Sequence, residues 1–171
     1  MFQGKTNCIG VENVQNKIQK ITTNLWFDNE AEEAAKFYTS IFNNSVISRV
    51  TRYGNEKHES SSEGAVMTVE FELEGQKHVA LNGGPKYRFT EAISFIVNCE
   101  TQEELDYYWE KLSDGGDEKA QVCGWLKDKF GVSWQVIPAT LNDMVSDEEP
   151  KKSERVMKAL LKTKTKIDME E

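Results

Sequence analysis

The chain repeats itself at a constant offset of 70 residues. Leu25-Trp26-Phe27-Asp28 lies over Phe95-Ile96-Val97-Asn98, Glu30 over Glu100 and Glu33 over Glu103. Phe37-Tyr38 lies over Tyr107-Tyr108, and Phe42 over Leu112. Two unrelated amphipathic segments would rarely keep one register over about 18 positions. A length of 171 residues fits one domain of roughly 100–200 residues. The repeat therefore predicts two modules that make one fold.

Each copy has the same order of elements. Ile21–Phe27 reads as a strand, and Asn29 with Glu32 reads as a capping box. Ala31, Ala34, Ala35, Tyr38, Ile41 and Phe42 then recur at helical spacing, as one buried face requires. Val46–Tyr53 is a strand, followed by a polar loop over 54–64. Met67, Val69, Phe71 and Leu73 alternate with polar residues, the period of a half-buried strand. Glu74-Gly75-Gln76 turns it into Lys77–Asn82, which Gly83-Gly84-Pro85 ends. The second copy has a strand over Glu91–Asn98, a capping box of Thr101 with Glu104, and a helix burying Leu105, Tyr108, Trp109 and Leu112. Gly115-Gly116 closes that helix, and strands near Gln121–Lys127 and Val132–Ile137 complete the unit.

These readings define an α+β fold of tandem βαβββ modules forming a curved mixed sheet. Residues 1–16 read as a flexible leader. Residues 17–140 form the domain, with module one over about 21–84 and module two over about 90–138. Residues 141–171 form a helical extension. Pro150 starts its helix, and Val156, Met157, Leu160 and Leu161 give a narrow apolar stripe that docks on the body or on a second subunit. One module leaves a sheet face uncovered, so modules must pair, within the chain or between chains.

Composition narrows the function classes. The net charge of −8 averages +3 over residues 151–171 and −11 over the rest. An acidic body argues against non-specific nucleic-acid binding, which needs cations against phosphates. The basic tail reads as a solvated helix face, with an anchor for an anionic partner as the alternative. No apolar run approaches the roughly 20 residues needed to span a bilayer, and no signal peptide is present, so the expected location is cytoplasmic. Cys8, Cys99 and Cys123 are too scattered for a disulfide framework or a zinc site.

Four stretches carry a family resemblance: Phe27–Ala34, Phe37–Phe42, Val79–Pro85 and Cys123–Val136. With the tandem βαβββ order, they resemble the vicinal oxygen chelate superfamily of glyoxalase I, bleomycin-resistance proteins and extradiol dioxygenases. Within it the chain is most similar to the PhnB-like group, also described as 3-demethylubiquinone-9 3-methyltransferase-like. Metal-using members draw two ligands from each module. The resemblance puts those positions at Thr22 and Ala80 in module one, and at Ala92 and Gln135 in module two. Alanine has no donor, and neutral Thr and Gln oxygens do not offset the dehydration of a hard divalent cation. No metal and no other cofactor is therefore expected. The methyltransferase label would require a strand, a glycine-rich loop and a helix around a methyl-donor nucleoside; Gly83-Gly84 and Gly115-Gly116 do not form that pattern.

Strand alternation assigns the pocket lining. Asn24 and Trp26 lie beside Thr22, His78 and Asn82 beside Ala80, Ser94 and Ile96 beside Ala92, and Ser133 and Ile137 beside Gln135. Asn24, Trp26, Asn82, Ser94, Trp125 and Gln135 are the candidate ligand-binding residues, and amides, hydroxyls and indoles suit a small organic molecule of ring or acyl character. Trp125 is a stacking wall, or else a plug of the core, and Lys127 or Lys129 an anion contact. Glu70 and Glu72 are candidate general bases or relocated metal ligands, and His78 a candidate proton shuttle. The plainer readings are a solvated strand face and a pocket-edge imidazole. The leading expectation is a homodimer that binds a small molecule in a metal-free pocket. An enzyme using Glu70, Glu72 or His78, and an interaction protein with a vestigial pocket, are the alternatives.

Overall fold

The structure, a computed structural model, describes residues 18–54 and 63–169. The expected leader, and most of the polar loop with His58, lie outside the described residues. Module one consists of β1 (Thr23–Phe27), α1 (Ala31–Ile41), β2 (Ser45–Arg52), β3 (Val66–Leu73) and β4 (Gln76–Asn82). Its strands form one sheet in the order β1-β4-β3-β2, with β1 parallel to β4 and the other pairs antiparallel. Module two consists of β5 (Phe95–Cys99), α2 (Gln102–Ser113), β6 (Trp125–Lys127) and β7 (Ser133–Pro138). Its sheet runs β5-β7-β6, the same order without the outer strand.

The tandem α+β reading therefore holds, with two differences. The expected curved sheet is two separate sheets, of four and three strands. The missing strand of module two is replaced by a 3-10 turn at Glu118–Ala120 and a single bridge between Val122 and Trp125. Gly116-Asp117-Glu118-Lys119 offers no apolar side chain to a sheet face. Gly116 is also pressed against β6, so that a Cβ there would lie 2.2 Å from the Lys127 carbonyl oxygen.

The repeat dictates the core. Leu25 and Phe27 of β1, like Phe95 and Val97 of β5, face the helices, and α1 buries Ala34, Ala35 and Tyr38 while α2 buries Leu105, Tyr108 and Leu112. The helix-covered faces of the two sheets meet. The His78 and Phe95 rings lie 5.6 Å apart, Tyr38 and Trp134 5.4 Å, and Phe42 stacks on Trp134 at 5.8 Å. The uncovered faces consequently point away from the shared core.

The two helices are capped differently. Thr101 accepts from the Glu104 amide at 3.2 Å, while the Glu104 carboxylate accepts from the Glu100 amide at 2.7 Å. Asn29 does not cap α1; Glu30 is the N-cap, without a side-chain cap bond. The Ala31 amide instead donates to Asn82 Oδ1 at 2.8 Å. Parallel pairing puts Asn82 beside Phe27, at the start of the helix.

Beyond β7 lie α3 (Leu141–Val145) and α4 (Pro150–Lys162). No α4 side chain is buried: Leu160 packs against the core, whereas Leu161 is 73% exposed. The segment after α4 docks more firmly. The Cys123 and Gly124 amides donate to the Thr163 and Thr165 carbonyls at 3.3 and 2.9 Å, and Ile167 is buried. Among the described residues, no helix is long and apolar enough to cross a membrane.

Candidate functional site

The strand registers settle which side chains reach the open faces. On the first sheet, Thr23, Leu25 and Phe27 align with His78, Ala80 and Asn82, all on the helix-covered side. His78, Ala80 and Asn82 were expected on the pocket side, and here the structure corrects the sequence reading. Alternation alone could not decide it, because Val79 and Leu81 are the more apolar residues of β4 yet face outward. The reason is size and bonding. Ala80 leaves room for α1, His78 slots between Phe71 and Phe95, and Asn82 serves the helix N-terminus.

The open face of module one thus carries Asn24 and Trp26 of β1, Val79 and Leu81 of β4, and Thr68, Glu70 and Glu72 of β3. Trp26 lies flat over the Gly83-Gly84 turn, where its indole donates to the Gly84 carbonyl at 2.9 Å and meets the Tyr87 ring edge-on at 5.0 Å. A Cβ on Gly83 would sit 2.3 Å from the indole. Glu70 pairs with Arg49 of β2 at 3.6 Å on the half-exposed surface.

The outward side of module two carries Ile96 of β5, Gln135 of β7, and Trp125 and Lys127 of β6, with Ser133 on the same side but buried. Gln135 Nε2 donates to the Ser94 hydroxyl at 2.8 Å, and Trp125 is Gln135's cross-strand neighbour. Three expected ligand-binding residues therefore come together here. Asn24 and Trp26 form a second group on the other sheet, facing away, and Asn82 belongs to neither. The expected anion contacts are engaged elsewhere: Lys127 pairs with Glu91, and Lys129 pairs with Glu33 at 3.2 Å.

The positions where the superfamily places its metal ligands offer few donor atoms here. Thr22 and Ala92 precede their strands, Ala80 is turned inward, and its outward neighbours Val79 and Leu81 have no donor atom. Among the described residues no three His, Cys, Asp or Glu side chains cluster at metal-binding spacing. Cys99 is buried, and desolvation pushes its thiol up to about 12, which removes it as a nucleophile near neutral pH.

Sequence reasoning missed the polar centre of the molecule. Asp128, in the turn after β6, is 2% exposed. It accepts from the Tyr38 hydroxyl and the Trp134 indole, each at 2.8 Å, and from the Phe130 and Val132 amides at 2.9 and 3.0 Å. Burial raises its pKa despite these bonds, and the same burial with the Asp128 charge raises that of Tyr38. The arrangement locks module one to module two. The available signal was the lone acid of the segment Trp125 to Trp134, which also holds three aromatic residues.

Comparison with known proteins agrees with this architecture. The 3-demethylubiquinone-9 3-methyltransferase family pattern matches residues 19–137. A solved structure of a PhnB protein from Bacillus cereus is 40% identical, covers 68% of this chain and 97% of its own, and superimposes with a TM-score of 0.60. Protein PA1353 from Pseudomonas aeruginosa is 17% identical over 68% of this chain and 95% of its own, with a TM-score of 0.56, and shares the fold. No curated protein matches the chain.

Proposed function

The chain belongs to the 3-demethylubiquinone-9 3-methyltransferase-like, or PhnB-like, family, and from that membership we propose that it binds a small organic molecule without a metal, between the open sheet faces of two copies. The observation that carries this reading is the Ser94, Trp125 and Gln135 group: a hydrogen-bonded amide and hydroxyl beside an indole, on the side of the sheet turned away from α2. An indole supplies a flat wall for a ring, and the amide and hydroxyl orient polar substituents. Trp26 and Asn24 form the matching group on module one. One chain holds the two groups back to back, so a closed pocket needs the partner's module. Half-exposed Val79 and Leu81, with Ile96 at 49% exposure, give such a partner an apolar surface to bury.

Catalysis through a bound methyl donor finds no support in the residues. Neither strand-to-helix connection, Asp28-Asn29-Glu30 or Glu100-Thr101, contains the glycine that close approach to a nucleotide requires. Thermal-shift screening of small aromatic and acyl compounds, in chelator-treated buffer, tests the proposal. Ligands should raise Tm without added metal, since binding to the folded state alone stabilises it. The shift should vanish in Trp125→Ala and Gln135→Ala. Stabilisation only on adding a divalent cation, or only by S-adenosylmethionine, would overturn it.

A further inference from the structure

A second recess lies on the opposite, inward side of the fold, where the two modules meet. It measures about 480 Å³, within the range of small-molecule sites. Its walls are the rings of Phe42, Phe95, Tyr108 and Trp134, contributed by both modules. Glu74, from the β3–β4 turn, and Glu104, from the first turn of α2, also line it, and no Lys or Arg does among the described residues. Among the described residues neither acid forms an ion pair; each carboxylate accepts one backbone amide, from Asn44 and from Glu100.

His78 lies in the same wall. It is 5% exposed, and its imidazole makes no hydrogen bond among the described residues, with Nδ1 sealed and unpartnered. With Nδ1 sealed in the core, it is the rest of the ring edge that borders the cleft and can serve as a polar contact for a ligand. Desolvation lowers its pKa, which keeps the ring neutral near pH 7. Glu74 and Glu104 act on one place. Burial raises the Tyr108 phenol first, and the charges of these two acids raise it further.

We propose that this inter-module cleft is a binding site for a small, flat aromatic amine in its cationic form. Its ring would lie against the side of the Phe42, Phe95, Tyr108 and Trp134 cluster that borders the cleft, and its ammonium would be held by Glu74 and Glu104, with the His78 ring edge on the wall. Aromatic faces and carboxylates both attract a cation, and both repel an anion of the same shape. The site shares no residue with Ser94, Trp125 and Gln135, although Ile96 of the open face reaches its rim.

Calorimetric titration of the full chain with tryptamine, compared with indole-3-acetate, tests the assignment. Tryptamine should bind with micromolar to low-millimolar affinity and shift the His78 ring resonances in NMR spectra. Indole-3-acetate should bind at least about tenfold weaker, a difference of about 1.4 kcal/mol. Glu104→Gln and Glu74→Gln, which keep their size and acceptor oxygen, should each weaken tryptamine several-fold, and Trp125→Ala should leave it unchanged. No binding of tryptamine, equal binding of the anion, or loss of binding in Trp125→Ala would each overturn the proposal. Failure of the open-face ligands in the thermal-shift screen would leave it standing.

Discussion

Asn82 shows how much one side chain can decide. Its carbonyl oxygen caps α1 through Ala31, its amide donates to the Val66 carbonyl at 3.0 Å, and its own backbone oxygen accepts from the Tyr53 hydroxyl. Asn82→Leu keeps the volume but strands a helix-terminal N–H and a strand carbonyl. It should cost about 2–3 kcal/mol in urea unfolding. Sequence spacing pointed to Asn29 as the cap because a local partner is the usual one; parallel pairing of β1 with β4 brings in a partner 51 residues away. His78 makes a pH-dependent prediction. Its folded pKa lies below the ordinary 6.5 through burial, so the unfolded chain binds the extra proton first. Stability should be fully present above about pH 6.5 and decline as pH falls through the window between 6.5 and the lower folded value. His78→Phe, which cannot titrate, should show a shallower loss between about pH 7 and 5.5 when unfolding free energies are compared.

At the scale of elements, the repeat made the strands and helices legible, and the limits of legibility have physical causes. Periods of 2 and 3.6 fix which residues share a face, and they located α1, α2, β3 and β7 closely. They do not fix which face a helix will cover. On β4 the polar set His78, Ala80, Asn82 faces inward because each has an inward reason, namely ring stacking, small size or capping. On module two the apolar set Phe95, Val97, Trp134, Val136 is unambiguous, and it leaves Gln135 on the other side of the sheet, where Trp125 is its cross-strand neighbour. The C-terminal extension divides likewise. The amphipathic stripe predicted docking of α4 on the body or on a second subunit; Leu160 touches the core, while the strap after the helix adds backbone hydrogen bonds through Thr163 and Thr165 and a buried Ile167. Ile167→Ala should therefore cost about 2 kcal/mol, whereas Leu161→Ala should change stability by no more than about 0.5 kcal/mol. Denaturant midpoints of the two variants check the contrast.

For the whole molecule, facing the two covered sides inward has two results. It completes one core, sealed at its centre by Asp128, Tyr38 and Trp134, and it leaves two open faces that no single chain can join. Removing the Tyr38 hydroxyl in Tyr38→Phe leaves a buried carboxylate one donor short and should lower stability by about 1–3 kcal/mol. The homodimer proposal makes a different prediction. Ile96→Arg, on an open face, should convert a sedimenting dimer to monomer with the unfolding transition of the single chain retained. A monomeric wild type would overturn the paired pocket.

The positions of the four tryptophans give the molecule a further property. Trp134 is locked in the core with its indole nitrogen on Asp128, and Trp109 is half-buried on α2. Trp26 and Trp125 stand on the two open faces. The chain therefore carries its own optical labels: a core indole that senses the joining of the modules and the cleft beside it, and two outward indoles whose emission should follow whatever comes to rest on the sheets.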